Sequence, residues 1–132
     1  YGNFDFTLRS DARRFECGSY NIPGILALGA SLDLLLEIGI PTIWSRIQAL
    51  TTLLADGLLK KGYHVVSPRT SESESSGILS FTSPTLPQPA IVKQLEDQKI
   101  IIVERERRLR AAPHFYQNES HIHALLSALP SH

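Results

Sequence analysis

Arg110 is the residue whose setting most plainly asks for chemistry. It stands between Leu109 and Ala111 in a strand-like run that carries no other charge up to His114. A guanidinium drawn into apolar surroundings needs a partner, because an unpaired buried charge is costly. Its planar fork suits two parallel hydrogen bonds to a carboxylate. On composition alone, the simpler assignment is a structural ion pair with an acidic residue of the same domain. A second candidate is Gly18-Ser19, in the segment RRFECGSYN just before a helix start. Backbone N–H groups, the Ser19 hydroxyl and a helix dipole can together hold a phosphate. A serine in that place is more often only an N-cap.

The remaining polar residues carry weaker signals. Cys17 has no patterned His or Asp near it, and a lone cysteine usually behaves as a small buried hydrophobe. His121 and His123 are two apart, so on a helix they point different ways and form no metal site. Asp33 and Glu37 are spaced i,i+4, which on a helix gives a polar stripe or a subunit contact more readily than acid–base work. The charged run ERERR (104–108) reads as a solvated hairpin top, and RTSESESS (69–76) as a flexible polar loop.

These residues must be positioned by elements that the patterning lets us place. Residues 1–10 alternate apolar and polar through Phe4, Phe6 and Leu8, as a strand or an extended lead-in does. Residues 1–20 are expected to form a lead-in from a domain that precedes this one. Asn21 is an N-cap candidate, and Leu26, Leu28, Leu32, Leu35 and Leu36 carry a helix to Gly39. After Pro41 a second helix follows on Ile43, Ile47, Leu50, Leu54 and Leu58, ended by Gly62 with Lys60 and Lys61 at its negative end. The two are expected as a long antiparallel or bent pair. Strands are expected over 63–67 and 77–82, a short helix over 89–97, strands over 99–103 and 109–112, and a last helix capped by Asn118. The order helix, helix, ββαββα predicts the α+β class. Two N-terminal helices precede a small antiparallel sheet with helices on one face.

Composition narrows the function. The 132 residues carry 13 basic and 13 acidic side chains, so no net field draws the chain to nucleic acid or an anionic membrane. Apolar content of 42% is enough for one core and excludes wholesale disorder. The apolar stretch 22–40 is broken by Pro23, Gly24, Gly29, Asp33, Glu37 and Gly39, so it reads as a buried helix rather than a membrane span. One cysteine disfavours a disulfide scaffold and fits a reducing, cytoplasmic compartment. A start at Tyr1 with no methionine anywhere marks the chain as an expected single-domain fragment, 1–132, of something longer.

Three stretches, RRFECGSYNIPGILALGASLDLL (13–35), SSGILSF (75–81) and LRAAPHFYQNESHIHALLSAL (109–129), together resemble the C-terminal small domain of class V aminotransferases. These are the fold type I pyridoxal-phosphate enzymes that include cysteine desulfurases and epimerase-like members. The resemblance implies that Arg110, in a motif of the type R-x-S-x-H-x-Y-N, binds the α-carboxylate of an amino-acid substrate. Ala112 stands where serine is usual. It implies that Gly18 and Ser19 contribute to the phosphate site of a neighbouring subunit's cofactor, with Tyr20 replacing a more usual proline and Arg107 a common glycine. It implies pyridoxal 5'-phosphate as cofactor of the full-length parent, a large N-terminal domain as partner, and a homodimer. Lys60, Lys61, Lys93 and Lys99 lack the context of the Schiff-base lysine, so no catalytic residue is assigned and the isolated chain is expected to be inactive. No cysteine lies between residues 85 and 109, which disfavours a persulfide-forming desulfurase and favours a transaminase, lyase or epimerase type. The alternative is a non-catalytic, stand-alone ligand-binding or dimerisation module of the same fold.

Overall fold

The second helix shows why this chain folds where it does. Residues Ile40–Lys60 (α2) put Ile43, Leu50, Leu54 and Leu58 on one face, and all four are buried. Pro41 sits in its first turn, where the missing N–H costs nothing. Gly62, at φ +86, ends it in the left-handed conformation a helix exit favours. The computed structural model describes Gly2, residues 7–16 and residues 18–132. The extended lead-in expected around Phe4 and Phe6, and the expectation for Cys17, fall largely outside the described residues.

The chain divides into two compact units, 1–37 and 38–132. The first holds a 3-10 turn, Ala12–Phe15, and nearly all of the helix Ile22–Ile38 (α1). Asn21 caps α1 as expected, its Oδ1 accepting from the Gly24 N–H at 3.1 Å. No described residue of this unit is buried, although α1 is apolar on nearly every side.

The second unit contains the sheet. After α2 come His64–Val65 (β1), Leu79–Thr82 (β2), Gln88–Asp97 (α3), Val103–Arg105 (β3), Arg108–Ala111 (β4) and Glu119–Ala128 (α4). The strands pair antiparallel in the order β1-β2-β4-β3. Alternation does the sorting: Leu79 and Phe81 of β2 and Leu109 and Ala111 of β4 turn inward. They meet α2, Ile91 and Leu95 of α3, and Ile122, Leu125 and Leu129 at the end of the chain. The class is α+β, and the element order in this unit is the one expected.

The polar segment 69–76 contains a short 3-10 turn, Glu72–Glu74. One strand differs from expectation. Residues 99–102 are not extended in the sheet; they are the exit of α3. Lys99 adopts φ +64, its N–H bonding to Glu96 O, and the Ile100 N–H closes back on Leu95 O at 2.9 Å. The chain enters the sheet only at Val103. A run of β-branched residues is outweighed here by the need to satisfy the last carbonyls of a helix.

Candidate functional site

Arg110 is held from both sides. In the register of the sheet it faces Ser80 of β2 and Val103 of β3. Its neighbours Leu109 and Ala111 point into the core, so the pleat sends Arg110 to the other face, where it is half-buried. It lines a cavity of about 380 Å³ together with Lys99, Ile101, Ala112, Gln117, His121 and apolar groups of α4. Among the described residues no carboxylate pairs with it; the ion pairs found are Arg13–Asp11 and Arg46–Glu119. The structural ion pair that composition favoured is not found among the described residues.

The floor of the cavity is fixed by hydrogen bonds. Gln117 Oε1 accepts from the His114 N–H at 2.9 Å, and Asn118 caps α4 by accepting from the Ser120 N–H at 3.1 Å. His121 closes the capping box, its Nδ1 accepting from the Asn118 N–H at 3.2 Å. Arg46 of α2 clasps this corner. Its Nη1 and Nη2 reach the two carboxylate oxygens of Glu119 at 2.5 and 3.0 Å, and Nη2 also donates to the Gln117 carbonyl at 3.1 Å. That bond holds the Glu119 carboxyl down at about 2. Lys99 and His121 were not singled out as cavity residues by spacing. Lys99 enters because its left-handed turn brings the chain round, and His121 because the cap fixes its place. His121 and His123 lie on one helix, and one of His121's nitrogens is committed to the cap.

Gly18 and Ser19 lie in the first unit. Gly18 has φ +71, and no heavy atom comes within 4 Å of where a Cβ would stand. Among the described residues neither Gly18 nor Ser19 is engaged in a hydrogen bond, and both are exposed. Gly18 lines a cavity of about 360 Å³ with Arg9, Arg13, Arg14 and Tyr20. Arg13 is occupied by Asp11, at 2.6 Å, and Tyr20 donates to Glu16 at 2.7 Å. Arg9 has no carboxylate partner among the described residues, and Arg14 lies over the Phe15 ring at 4.9 Å. An open glycine turn with a free hydroxyl and an uncommitted arginine is compatible with a phosphate group. The start of α1 itself, at Ile22, is three residues beyond Ser19 and already capped by Asn21, so its dipole is not what Gly18 and Ser19 offer directly.

The sequence profile described as aminotransferase class-V matches residues 4–106, well over half of the chain. The chain belongs to the class V aminotransferase family. A probable cysteine desulfurase of Pyrococcus abyssi is 28% identical over 97 residues, covering 74% of this chain and 24% of its own length. The apo cysteine desulfurase of Thermococcus onnurineus NA1 superposes with a TM-score of 0.82 at 23% identity, over 92% of this chain and 33% of that one. The cystine C-S lyase C-DES, solved with its reaction product cysteine persulfide, superposes with a TM-score of 0.75 at 29% identity. That match takes in 87% of this chain and 31% of the lyase. This class V chain thus spans a quarter to a third of the relatives it matches. Its α+β fold agrees with theirs, and the desulfurases and the C-S lyase among these relatives lean towards sulfur chemistry rather than away from it.

Proposed function

We propose that this chain is the substrate-carboxylate-holding part of a pyridoxal-phosphate enzyme that acts on an amino acid. The observation that carries the proposal is Arg110: half-buried, fixed by strands on both sides, lining a mostly apolar cavity, and without a carboxylate partner among the described residues. A guanidinium kept in that state is available to a ligand carboxylate, bound through two parallel N–H···O bonds. Positioning the carboxylate fixes which bond to Cα is presented for reaction. Pyridoxal phosphate, when bound, supplies an electron sink for charge developing at Cα. Gly18 and Ser19 would hold part of its phosphate, in a homodimer that of the partner subunit's cofactor. Lys60, Lys61, Lys93 and Lys99 lack the sequence context that the family resemblance asks of the Schiff-base lysine, so the cofactor's aldehyde would be met by a lysine of the rest of the parent. A cytoplasmic setting goes with this reading.

The absence of cysteine from residues 85–109 argued against desulfurases, whereas the relatives lean towards them. One reaction accommodates both. The Cβ–S bond of a sulfur-containing amino acid breaks and the sulfur leaves on the small-molecule product, so no protein thiol in 85–109 has to accept it. The test uses the full-length parent with cysteine, cystine and alanine as substrates. The expected result is keto-acid and ammonia release from a sulfur amino acid without a persulfide on the protein. Persulfide accumulating on the protein would make it a desulfurase, and amino-group transfer or loss of Cα stereochemistry would move it to the transaminase or epimerase types. Arg110→Ala should lower kcat/KM about 10- to 100-fold. An unchanged kcat/KM would end the assignment of Arg110, and a parent inert to every amino acid would favour the stand-alone binding module.

A further inference from the structure

A second arginine, remote in sequence from Arg110, has no role in that scheme. Arg69 follows Pro68 at the end of the β1 segment and reaches back to α2, where its Nη2 donates to Thr52 Oγ1 at 2.8 Å. Its Nη1 has essentially no solvent exposure and no acceptor. Among the described residues no carboxylate pairs with the side chain. It lines a cavity of about 540 Å³ between α2 and the 67–75 segment.

Half of the lining residues carry hydroxyls, and Ala55, Leu59 and Val65 are apolar. Thr52 comes from α2, Ser67 from the end of the β1 segment, and Thr70, Ser71 and Ser75 from the polar loop. Some of this polarity is already in use. Ser67 Oγ accepts from the Ser80 N–H at 2.8 Å, and Thr70 donates to Glu74, which draws one loop carboxylate away from the guanidinium. Asp56 of α2 also lines the cavity and makes no ion pair with Arg69. A guanidinium nitrogen shut from water without an acceptor is destabilising, and side chains of this kind are normally satisfied. A tetrahedral oxoanion in the cavity supplies acceptor oxygens and a negative charge for the Arg69 guanidinium, which has no carboxylate partner among the described residues, with the Thr52 hydroxyl beside it. Asp56 on the wall disfavours a highly charged polyanion. The volume, larger than a lone phosphate needs, favours one phosphoryl group with a short organic arm.

We propose that this cavity binds the phosphoryl group of a small phosphomonoester, with Arg69 as its anchor and the Thr52 hydroxyl as a further contact. The site is independent of the Arg110 reading and stands whatever reaction the parent catalyses. Two probes separate the sources of the anion: inorganic phosphate, and glycerol 3-phosphate as a phosphomonoester with an uncharged arm. Each is titrated into the 15N-labelled protein at constant ionic strength, with chloride as control, while the amide resonances of residues 69–76 are followed. The expected result is saturable movement confined to those residues and Thr52, tighter for glycerol 3-phosphate. Arg69→Gln should weaken it about tenfold or more, and Thr52→Val by a smaller factor. Saturation by phosphate with no gain from the ester would support the anion site and place the specificity on the anion alone. Movement that fails to saturate, or matches the chloride control, would overturn the proposal in the wild-type protein whatever the variants do. Undiminished binding by a folded Arg69→Gln protein would remove Arg69 from it.

Discussion

Tyr63 shows how far a single polar atom can be left unsatisfied for the sake of packing. The ring is 2% exposed and lies edge-on to Phe81 at 5.7 Å and to His132 at 4.7 Å. Its hydroxyl has no hydrogen-bond partner. Burial alone pushes its ionisation up to about 12, so the phenol stays neutral over the working range. Removing an unpartnered buried hydroxyl while keeping the ring relieves a desolvation cost of about 1 kcal/mol. Tyr63→Phe is therefore expected to raise stability by about that amount in urea unfolding. A loss of stability would mean that the hydroxyl has a partner in solution. Arg110 presents the opposite case, an uncommitted polar group on the outer face of the sheet, where its freedom is useful. The sequence displayed the chemistry of both side chains. It did not display their partners, since partnership depends on strand register and loop path, which no local pattern encodes.

At the scale of elements, the β3–β4 hairpin is the most strained connection. Arg105 and Arg108 face each other across a two-residue turn, and Glu106 and Arg107 both take left-handed backbone, φ +52 and +62. Such turns strongly prefer Asn-Gly or Asp-Gly. Glu104 compensates in part, its Oε1 accepting from the Arg107 N–H at 2.7 Å. Arg107→Gly should stabilise the protein by about 0.5–1 kcal/mol, read as a rise in the urea midpoint at unchanged slope. A fall in the midpoint would mean that the Arg107 side chain contributes more than the backbone strain costs. The clasp between α2 and α4 has a pH signature. Glu119 titrates at about 2 when folded against an ordinary 4.5, chiefly because Arg46 hydrogen-bonds its carboxylate. Its contribution is whole above the ordinary value and fades as pH falls from there through the folded value, because the unfolded chain takes up the proton first. Comparing wild type with Glu119→Gln across pH 2–6, the two stabilities should converge at the acid end. Parallel curves would show that the pair adds nothing. Helices α2, α3 and α4 were legible because their apolar spacing, prolines, glycines and the Asn118 cap agree. The strand expected at 99–103 was not, because Ile100, Ile101 and Ile102 look the same in a strand and in a helix exit.

Across the whole molecule, the core and the framework around it belong to one unit. Among the described residues every buried one lies between Ile43 and Leu129, inside unit 38–132, and none of 1–37 is buried. The polypeptide 38–132 should therefore fold cooperatively without the first unit, with a thermal midpoint within a few degrees of the full chain's. A non-cooperative melt would show that the first unit completes the fold. Among the described residues no single helix is long and apolar enough to cross a membrane, α1 included. Helix α1 still exposes Ile22, Ile25, Leu26, Leu28, Leu32, Leu34 and Leu36, each about half or more accessible. The order of synthesis turns this into a matter of time. Helix α1 leaves the ribosome ahead of every residue of the core, and ribosomes add roughly 5–20 residues per second. The stretch from Ile38 to His132 then takes on the order of 10 s to appear. Over that interval the apolar surface of α1 is already exposed while 38–132 is still being made, which makes it a segment suited to recruit a nascent-chain chaperone.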